Sequence, residues 1–177
     1  NYFLSIIISF LFFSSSLIAE EKIKSEEKKD KSSLYSGLKF RSIGPALMSG
    51  RISDIVIHPK NENVWYVTAG SGGVWKTENS GTTWNSIFDG QKSYSIGCIT
   101  LDPQNLNVVW VGTGENVGGR HVAYGDGIYK SEDGGKSWKN MGLKKSEHLS
   151  KIIVHPKNSN IVWVASQGPL WSSGGER

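Results

Sequence analysis

The hydrophobic positions of this chain form short apolar runs separated by polar turns, and the arrangement repeats. One unit starts at Asp54 with Asp-Ile-Val-Ile-His-Pro-Lys-Asn and continues into Val-Trp-Tyr-Val; related units start at Cys98 and Lys151. Each copy carries a proline at the same place, namely Pro59, Pro103 and Pro156. A period of roughly 45–50 residues is typical of solenoids and propellers.

Each complete unit is predicted to contain four strands. In the first unit they are Ile52–His58, Val64–Ala69, Gly73–Thr77 and Thr83–Phe88. The proline ends the first strand because it has no N–H to donate to a ladder. Runs that are apolar on successive residues, such as Val108–Val111, are typical of sheets covered on both faces, and no helix-period segment follows Ser33. The predicted fold class is therefore all-β, with one four-stranded antiparallel blade per repeat of a β-propeller.

The chain holds two full units and part of a third. Propellers close with about four blades or more. We therefore expect an incomplete propeller, with further blades in a C-terminal part that this sequence lacks.

A polar turn recurs between the third and fourth predicted strands. It is carried by Ser131, Asp133, Gly135, Ser137 and Trp138 in one unit, and by Thr77, Asn79, Gly81, Thr83 and Trp84 in the other. A short Asp or Asn side chain accepts bonds from backbone N–H groups a few residues on. The glycine permits a positive φ, and the tryptophan is predicted to be largely buried beneath the turn.

This Ser-x-Asp-x-Gly-x-Ser-Trp pattern resembles the Asp-box, or BNR, repeat of sialidases, sortilin-type sorting receptors, xyloglucan-processing glycosidases and a photosystem II assembly factor. The resemblance implies a β-propeller in which the turn builds the fold and lies away from the active site. From Leu38 to Arg177 the layout looks closest to exported bacterial proteins with a sortilin-like N-terminal domain. Such folds host both receptors and enzymes, so the fold alone does not select a function.

The N-terminal part predicts export. Residues 1–19 are an apolar run ending in small residues, which is typical of a signal peptide cleaved after Ala19 or, alternatively, of a membrane anchor. Residues 20–37 form a charged, disordered linker, and residues 38–177 form the propeller. The expected location is periplasmic, cell-surface or extracellular. The single cysteine, Cys98, is expected to pack as a small hydrophobe.

Charge and composition exclude some partners. The formal net charge is +4, and lysines and arginines are interspersed with carboxylates, so no nucleic-acid partner is expected. No cofactor and no metal are predicted, since His58 and His155 precede turn prolines, where polar residues act as caps. The seven tryptophans are predicted to be mostly core residues.

The candidate binding loop is Gly114–Gly127. The stereotyped turns are predicted at one end of the blades and the irregular connections at the other, where binding usually resides. The loop contains Glu115, Asn116, Arg120, His121, Tyr124 and Asp126, which can bind a carboxylate, a sugar or a metal. Alternatively these side chains brace the loop through an Arg120–Asp126 or Arg120–Glu115 pair. Arg120 is the favoured ligand contact because its planar donor fork suits carboxylates and polar glycan groups.

The predicted function is a binding scaffold for a protein, peptide or carbohydrate ligand. The alternative is a glycoside hydrolase of the xyloglucanase or sialidase-like kind. That chemistry requires two carboxylates about 5–10 Å apart across a cleft. Glu115, Asp126 and Asp89 are the carboxylates at the candidate end, and the sequence does not pair them into a catalytic set.

Overall fold

The computed structural model describes residues 51–117 and 122–171. The predicted signal peptide (1–19), the linker (20–37), Arg120 and His121 lie outside these ranges. Within them every regular element is a strand, and no helix is long and apolar enough to cross a membrane.

The strands form two complete blades and half of a third, as predicted. Neighbouring strands pair antiparallel in chain order within each sheet. The first blade consists of β1 (Ile52–Ile57), β2 (Trp65–Ala69), β3 (Gly73–Thr77) and β4 (Asn85–Ser86). The second consists of β5 (Ile96–Leu101), β6 (Val109–Thr113), β7 (Ile128–Ser131) and β8 (Lys139–Gly142). The third sheet contains β9 (Leu149–His155) and β10 (Asn158–Ser166).

Two apolar clusters hold the sheets face to face. One joins the first blade to the second through Tyr66, Val74, Phe88, Ile96, Ile99, Leu101, Val109, Val111 and Tyr129. The other joins the second blade to the third sheet through Cys98, Val108, Trp110, Ile128, Leu149, Ile152 and Val154. All five residues of β6 are therefore buried, as the continuous apolar run predicts.

The outermost sheets do not follow that prediction. Ile55 of β1 is 50 % exposed, whereas its counterpart Ile99 in the second blade is 2 % exposed. Trp163 of β10 and Trp171 are exposed too, so the prediction of a core position is wrong for them. The physical reason is position in the stack, because no described sheet covers the outer faces of the first blade and of β10.

The recurrent turns have the predicted hydrogen bonds. Asp133 Oδ1 accepts the N–H groups of Lys136 and Ser137 at 2.9 Å each, and Asp133 Oδ2 accepts the Ser137 hydroxyl at 2.6 Å. These bonds, that with the Ser137 hydroxyl above all, hold the pKa of Asp133 well below its usual range. In the first blade Asn79 Oδ1 accepts the N–H of Thr83 at 2.9 Å, which places Thr83 in the turn and shortens β4 from the predicted Thr83–Phe88.

The two turn tryptophans differ, and the prediction of burial is wrong for Trp84. Its indole is 37 % exposed and meets Trp65 of its own blade edge-on. Trp138 is partly buried, packs edge-on against Phe88 of the first blade and donates its indole N–H to Ile87 O at 2.7 Å. The preceding blade thus covers the ring of Trp138, and the described residues contain no preceding blade that could cover Trp84.

The polar residues before the turn prolines cap those turns, as predicted. His58 Nδ1 accepts the Lys60 N–H at 3.2 Å, and His155 Nδ1 accepts the Lys157 N–H at 3.1 Å. Asp102 Oδ1 does the same for the Gln104 N–H at 2.8 Å in the second blade. The three side chains therefore have the same structural role, which is to accept the backbone N–H two residues further along the chain.

Cys98 is a free, buried thiol. Desolvation, followed by the charge of Asp54, raises its pKa to about 12. It packs in the cluster between the second blade and the third sheet, as a small hydrophobe would.

Candidate functional site

The irregular connections meet at one end of the blades, here called the loop end. Gly73 N–H donates to Tyr94 O at 2.9 Å, and Ser93 Oγ donates to Tyr124 O at 3.0 Å. Gly125 N–H in turn donates to Glu147 O at 2.8 Å. Each irregular segment thus contacts the next, and the frame of strands fixes the loops relative to one another.

The proline-containing and recurrent turns lie together at the opposite end, here called the turn end. Ser80 N–H donates to Asn63 O at 3.0 Å in the first blade, and Gly134 N–H donates to Asn107 O at 2.8 Å in the second. The predicted division between stereotyped turns and irregular loops is therefore present in the structure.

Three equivalent positions stand at the loop end, one in each sheet, directly before the first strand. They are occupied by Arg51, Ser95 and His148. Equivalence follows from a shared backbone bond: the carbonyls of these residues accept N–H groups of Gly70, Gly114 and Gln167 at 2.8, 2.7 and 2.9 Å.

All three side chains converge on Glu115, which is buried. Arg51 grips its carboxylate with two bonds, Nε to Oε1 at 2.6 Å and Nη2 to Oε2 at 2.5 Å. Glu115 N–H donates to Ser95 Oγ at 3.0 Å, and His148 Nδ1 lies 2.6 Å from Glu115 O. We call this group of four residues the Glu115 anchor. The hydrogen bond and the charge of Glu115 raise the pKa of Arg51.

Gly70 is required by the packing around this carboxylate. A β-carbon added there would lie 2.4 Å from Glu115 Oε1 and 2.5 Å from its Cδ. The Gly70–Gly73 segment therefore lies directly against Glu115, as expected for the end where the irregular connections gather. Glycine is needed at this position because the backbone lies close to the Glu115 carboxylate.

His148 has one satisfied and one unsatisfied ring nitrogen. Its Nδ1 faces a carbonyl, which only a protonated Nδ1 can bond, and in the neutral ring with that tautomer Nε2 is an acceptor. The side chain is 0 % exposed, and its Nε2 has no hydrogen-bond partner in the part of the chain that the structure describes. The ring of Tyr124 stands edge-on to the imidazole, with 5.6 Å between centroids.

The other loop candidates divide into bracing and surface residues. Asp126 accepts the Tyr129 hydroxyl at 2.6 Å, and its own N–H donates to Thr113 Oγ1 at 2.8 Å. Burial first, and then the bond to Asp126, raise the pKa of Tyr129. Asn116 and Tyr124 are exposed.

None of the three candidate carboxylates at the loop end is free. Glu115 is held by Arg51, Asp126 by Tyr129, and Asp89 accepts a hydrogen bond from Ser86. The described residues also contain no group of three His, Cys, Asp or Glu side chains that could hold a metal ion.

Large aromatic side chains are exposed on three loops of this end. Tyr94 is 62 % exposed, Tyr124 57 % and Trp171 70 %. Of these aromatic residues the sequence predicts only Tyr124 as a site residue, and it predicts no site role for Arg51, Ser95 or His148. Alignment of the repeats at the position before each first strand is the signal that could have found the last three.

Comparisons with known proteins support the fold. No protein-family model matches the chain, and no curated protein matches it. Among solved structures, an ancestral GH74 enzyme is similar with a TM-score of 0.52 and 20 % identity over 64 % of this chain. The GH74 enzyme of Niastella koreensis gives a TM-score of 0.49 and 21 % identity over 63 % of the chain, and YCF48 of Cyanidioschyzon merolae gives 0.40 and 19 % over 61 %.

The matched region is a small part of these proteins. The chain covers 16 % of each of these two GH74 enzymes and 29 % of YCF48. Together with the sheet topology, the similarity to the ancestral enzyme shows an all-β chain with the blades of an incomplete β-propeller.

Proposed function

We propose that this chain is part of an exported propeller of sortilin-like, Asp-box type that binds a protein or glycan ligand at the loop end. The observation that carries the proposal is the exposure of Tyr94, Tyr124 and Trp171 on loops of one rigid frame. Exposed aromatic rings provide large contact area at a low cost in conformational entropy. Export rests on the apolar run of residues 1–19, and the Asp-box assignment rests on the two recurrent turns.

The Glu115 anchor supports a binding function because it preorganises the loops. It ties the start of each of the three sheets to a single residue of the Gly114–Gly127 loop. Loop residues that the anchor already holds lose little entropy when a ligand binds.

A glycoside hydrolase is the less favoured function. The same three carboxylates that the sequence offers for hydrolysis are engaged by neighbouring side chains in the described residues. An acid and a nucleophile or base need oxygens that face the scissile bond. The arrangement favours bracing over hydrolysis for these groups.

The test is an array of glycans and peptides probed with the purified chain. We expect Tyr94→Ala combined with Trp171→Ala to abolish retention of the ligands that the unmodified chain retains. Trp163→Ala is the matched control, because this tryptophan is also exposed, at 53 %, but lies on the outer face of β10. Retention that survives the double substitution, or that Trp163→Ala abolishes, would place binding away from the loop end.

A further inference from the structure

We propose that His148 and Tyr124 form a saccharide subsite, in which His148 Nε2 accepts a ligand hydroxyl and Tyr124 moves aside to admit it. This inference rests on the proposed binding function and specifies its ligand class. The starting point is the fully buried Nε2 without a partner among the described residues. Buried polar groups are almost always hydrogen-bonded, so an orphaned one needs an explanation.

The polarity of the orphaned nitrogen defines what it can bind. Because Nδ1 lies 2.6 Å from Glu115 O, the ring proton is on Nδ1 and Nε2 needs a donor. Hydroxyl groups and water are neutral donors of suitable size. A carboxylate group of a ligand offers only acceptors to this nitrogen.

The carboxylate whose backbone carbonyl faces His148 is already compensated. The carboxylate of Glu115 is neutralised by the two bonds from Arg51, so the anchor presents no unpaired carboxylate to a cationic ligand. The buried part of the site therefore combines a neutral acceptor with an aromatic ring. This combination favours a neutral polyol over a charged peptide.

Tyr124 is built to act as a movable cover. Its ring contacts the His148 imidazole at 5.6 Å yet is more than half exposed. Its backbone is fixed on both sides, by Ser93 Oγ on Tyr124 O at 3.0 Å and by Gly125 N–H on Glu147 O at 2.8 Å. The side chain can therefore rotate about χ1 while the loop keeps its path, and its face then becomes a stacking surface for a sugar ring.

The neighbouring loops extend the same surface. Tyr94 directly precedes Ser95 of the Glu115 anchor, and Trp171 follows Gln167, whose N–H donates to His148 O at 2.9 Å. Exposed rings therefore precede and follow Tyr124 along the chain, on two other loops of the loop end. A chain of several sugar units matches such a row better than a single unit does.

The experiment titrates the ¹⁵N-labelled chain with cellohexaose, mannohexaose, xylohexaose, trigalacturonic acid and trilysine. We expect at least one neutral hexaose to shift the His148 Nε2 resonance and to bind about tenfold more weakly to Tyr124→Ala, the scale of one lost stacking contact. His148→Phe should have the same effect and Trp163→Ala none. If His148→Phe does not fold, the resonance shift and Tyr124→Ala decide the question.

The other outcomes separate this inference from the proposed function. A neutral hexaose that binds without moving the Nε2 resonance and binds Tyr124→Ala equally well overturns the subsite but leaves a loop-end binding function. Binding of trigalacturonic acid or trilysine alone overturns the choice of a neutral saccharide. If none of the five probes binds and the glycan and peptide array is also blank, both proposals fall.

Discussion

A methyl group at position 70 tests whether the Glu115 carboxylate is fixed in place. In Gly70→Ala the new β-carbon would lie 2.4 Å from Glu115 Oε1, so the carboxylate has to move by about 1 Å to restore an ordinary contact. That movement pulls it from the bonds to Arg51 at 2.5 and 2.6 Å. We expect the free energy of unfolding to fall by about 1–3 kcal/mol, the usual cost of overpacking.

A double-mutant cycle makes this reasoning specific. Urea unfolding followed by tryptophan fluorescence gives the free energy of unfolding if the m-values agree. In a Glu115→Ala background the obstruction is gone, so Gly70→Ala should cost less than about 0.5 kcal/mol. Gly90→Ala is the matched control, since nothing lies within 4 Å of its added β-carbon. Additive effects of the two substitutions, or equal effects of Gly70→Ala and Gly90→Ala, would refute a fixed carboxylate.

Three further predictions concern the turns and the core. Trp138→Phe should lower the free energy of unfolding by about 1 kcal/mol because it removes the indole bond to Ile87 O, whereas Trp84→Phe should leave it nearly unchanged. Equal decreases for the two variants in urea unfolding would contradict this prediction. The pKa of Asp133 is lowered by folding, so its stabilisation is present above the unfolded pKa of about 4 and lost as the pH falls. Asp133→Ala should therefore lower Tm at pH 7 and lower it less at pH 2, whereas Asp133→Asn should keep Tm close to that of the unmodified chain. If Asp133→Ala lowered Tm equally at both pH values, the stabilisation by the ionised carboxylate would be refuted. Cys98, with a thiol pKa near 12, should resist a thiol reagent at pH 8 until urea is added, and fast labelling of the native chain would show that it is accessible.

The features predicted well from sequence are those held by local bonds. The side-chain bonds that close the Ser131–Ser137 turn join residues at most four positions apart, so residue type and spacing contain this local geometry. The same holds for the caps at His58 and His155. The strand positions could be predicted because proline and glycine mark the ends of strands and the apolar runs mark their interiors.

The features that the sequence did not predict depend on distant residues. Arg51 and Glu115 are separated by 64 positions, so no local pattern joins them. The loop alone suggested an Arg120–Asp126 or Arg120–Glu115 pair as the bracing alternative, and Arg120 lies outside the described residues. Burial of Trp84 was overestimated because identical turns have different neighbours at the edge and in the middle of a stack. His148 carries no local motif, since its importance arises from an unpaired nitrogen that only packing reveals.

The direction of the contacts between sheets has a consequence for how the chain is assembled during synthesis. Trp138 needs the carbonyl of Ile87, and Glu115 needs Arg51, so several groups of the second blade are completed by residues that precede them in the chain. The partner of each such group has already left the ribosome when the group emerges, because synthesis proceeds from the N-terminus. Among the described residues, the second blade can thus dock on a first blade that has already been synthesised.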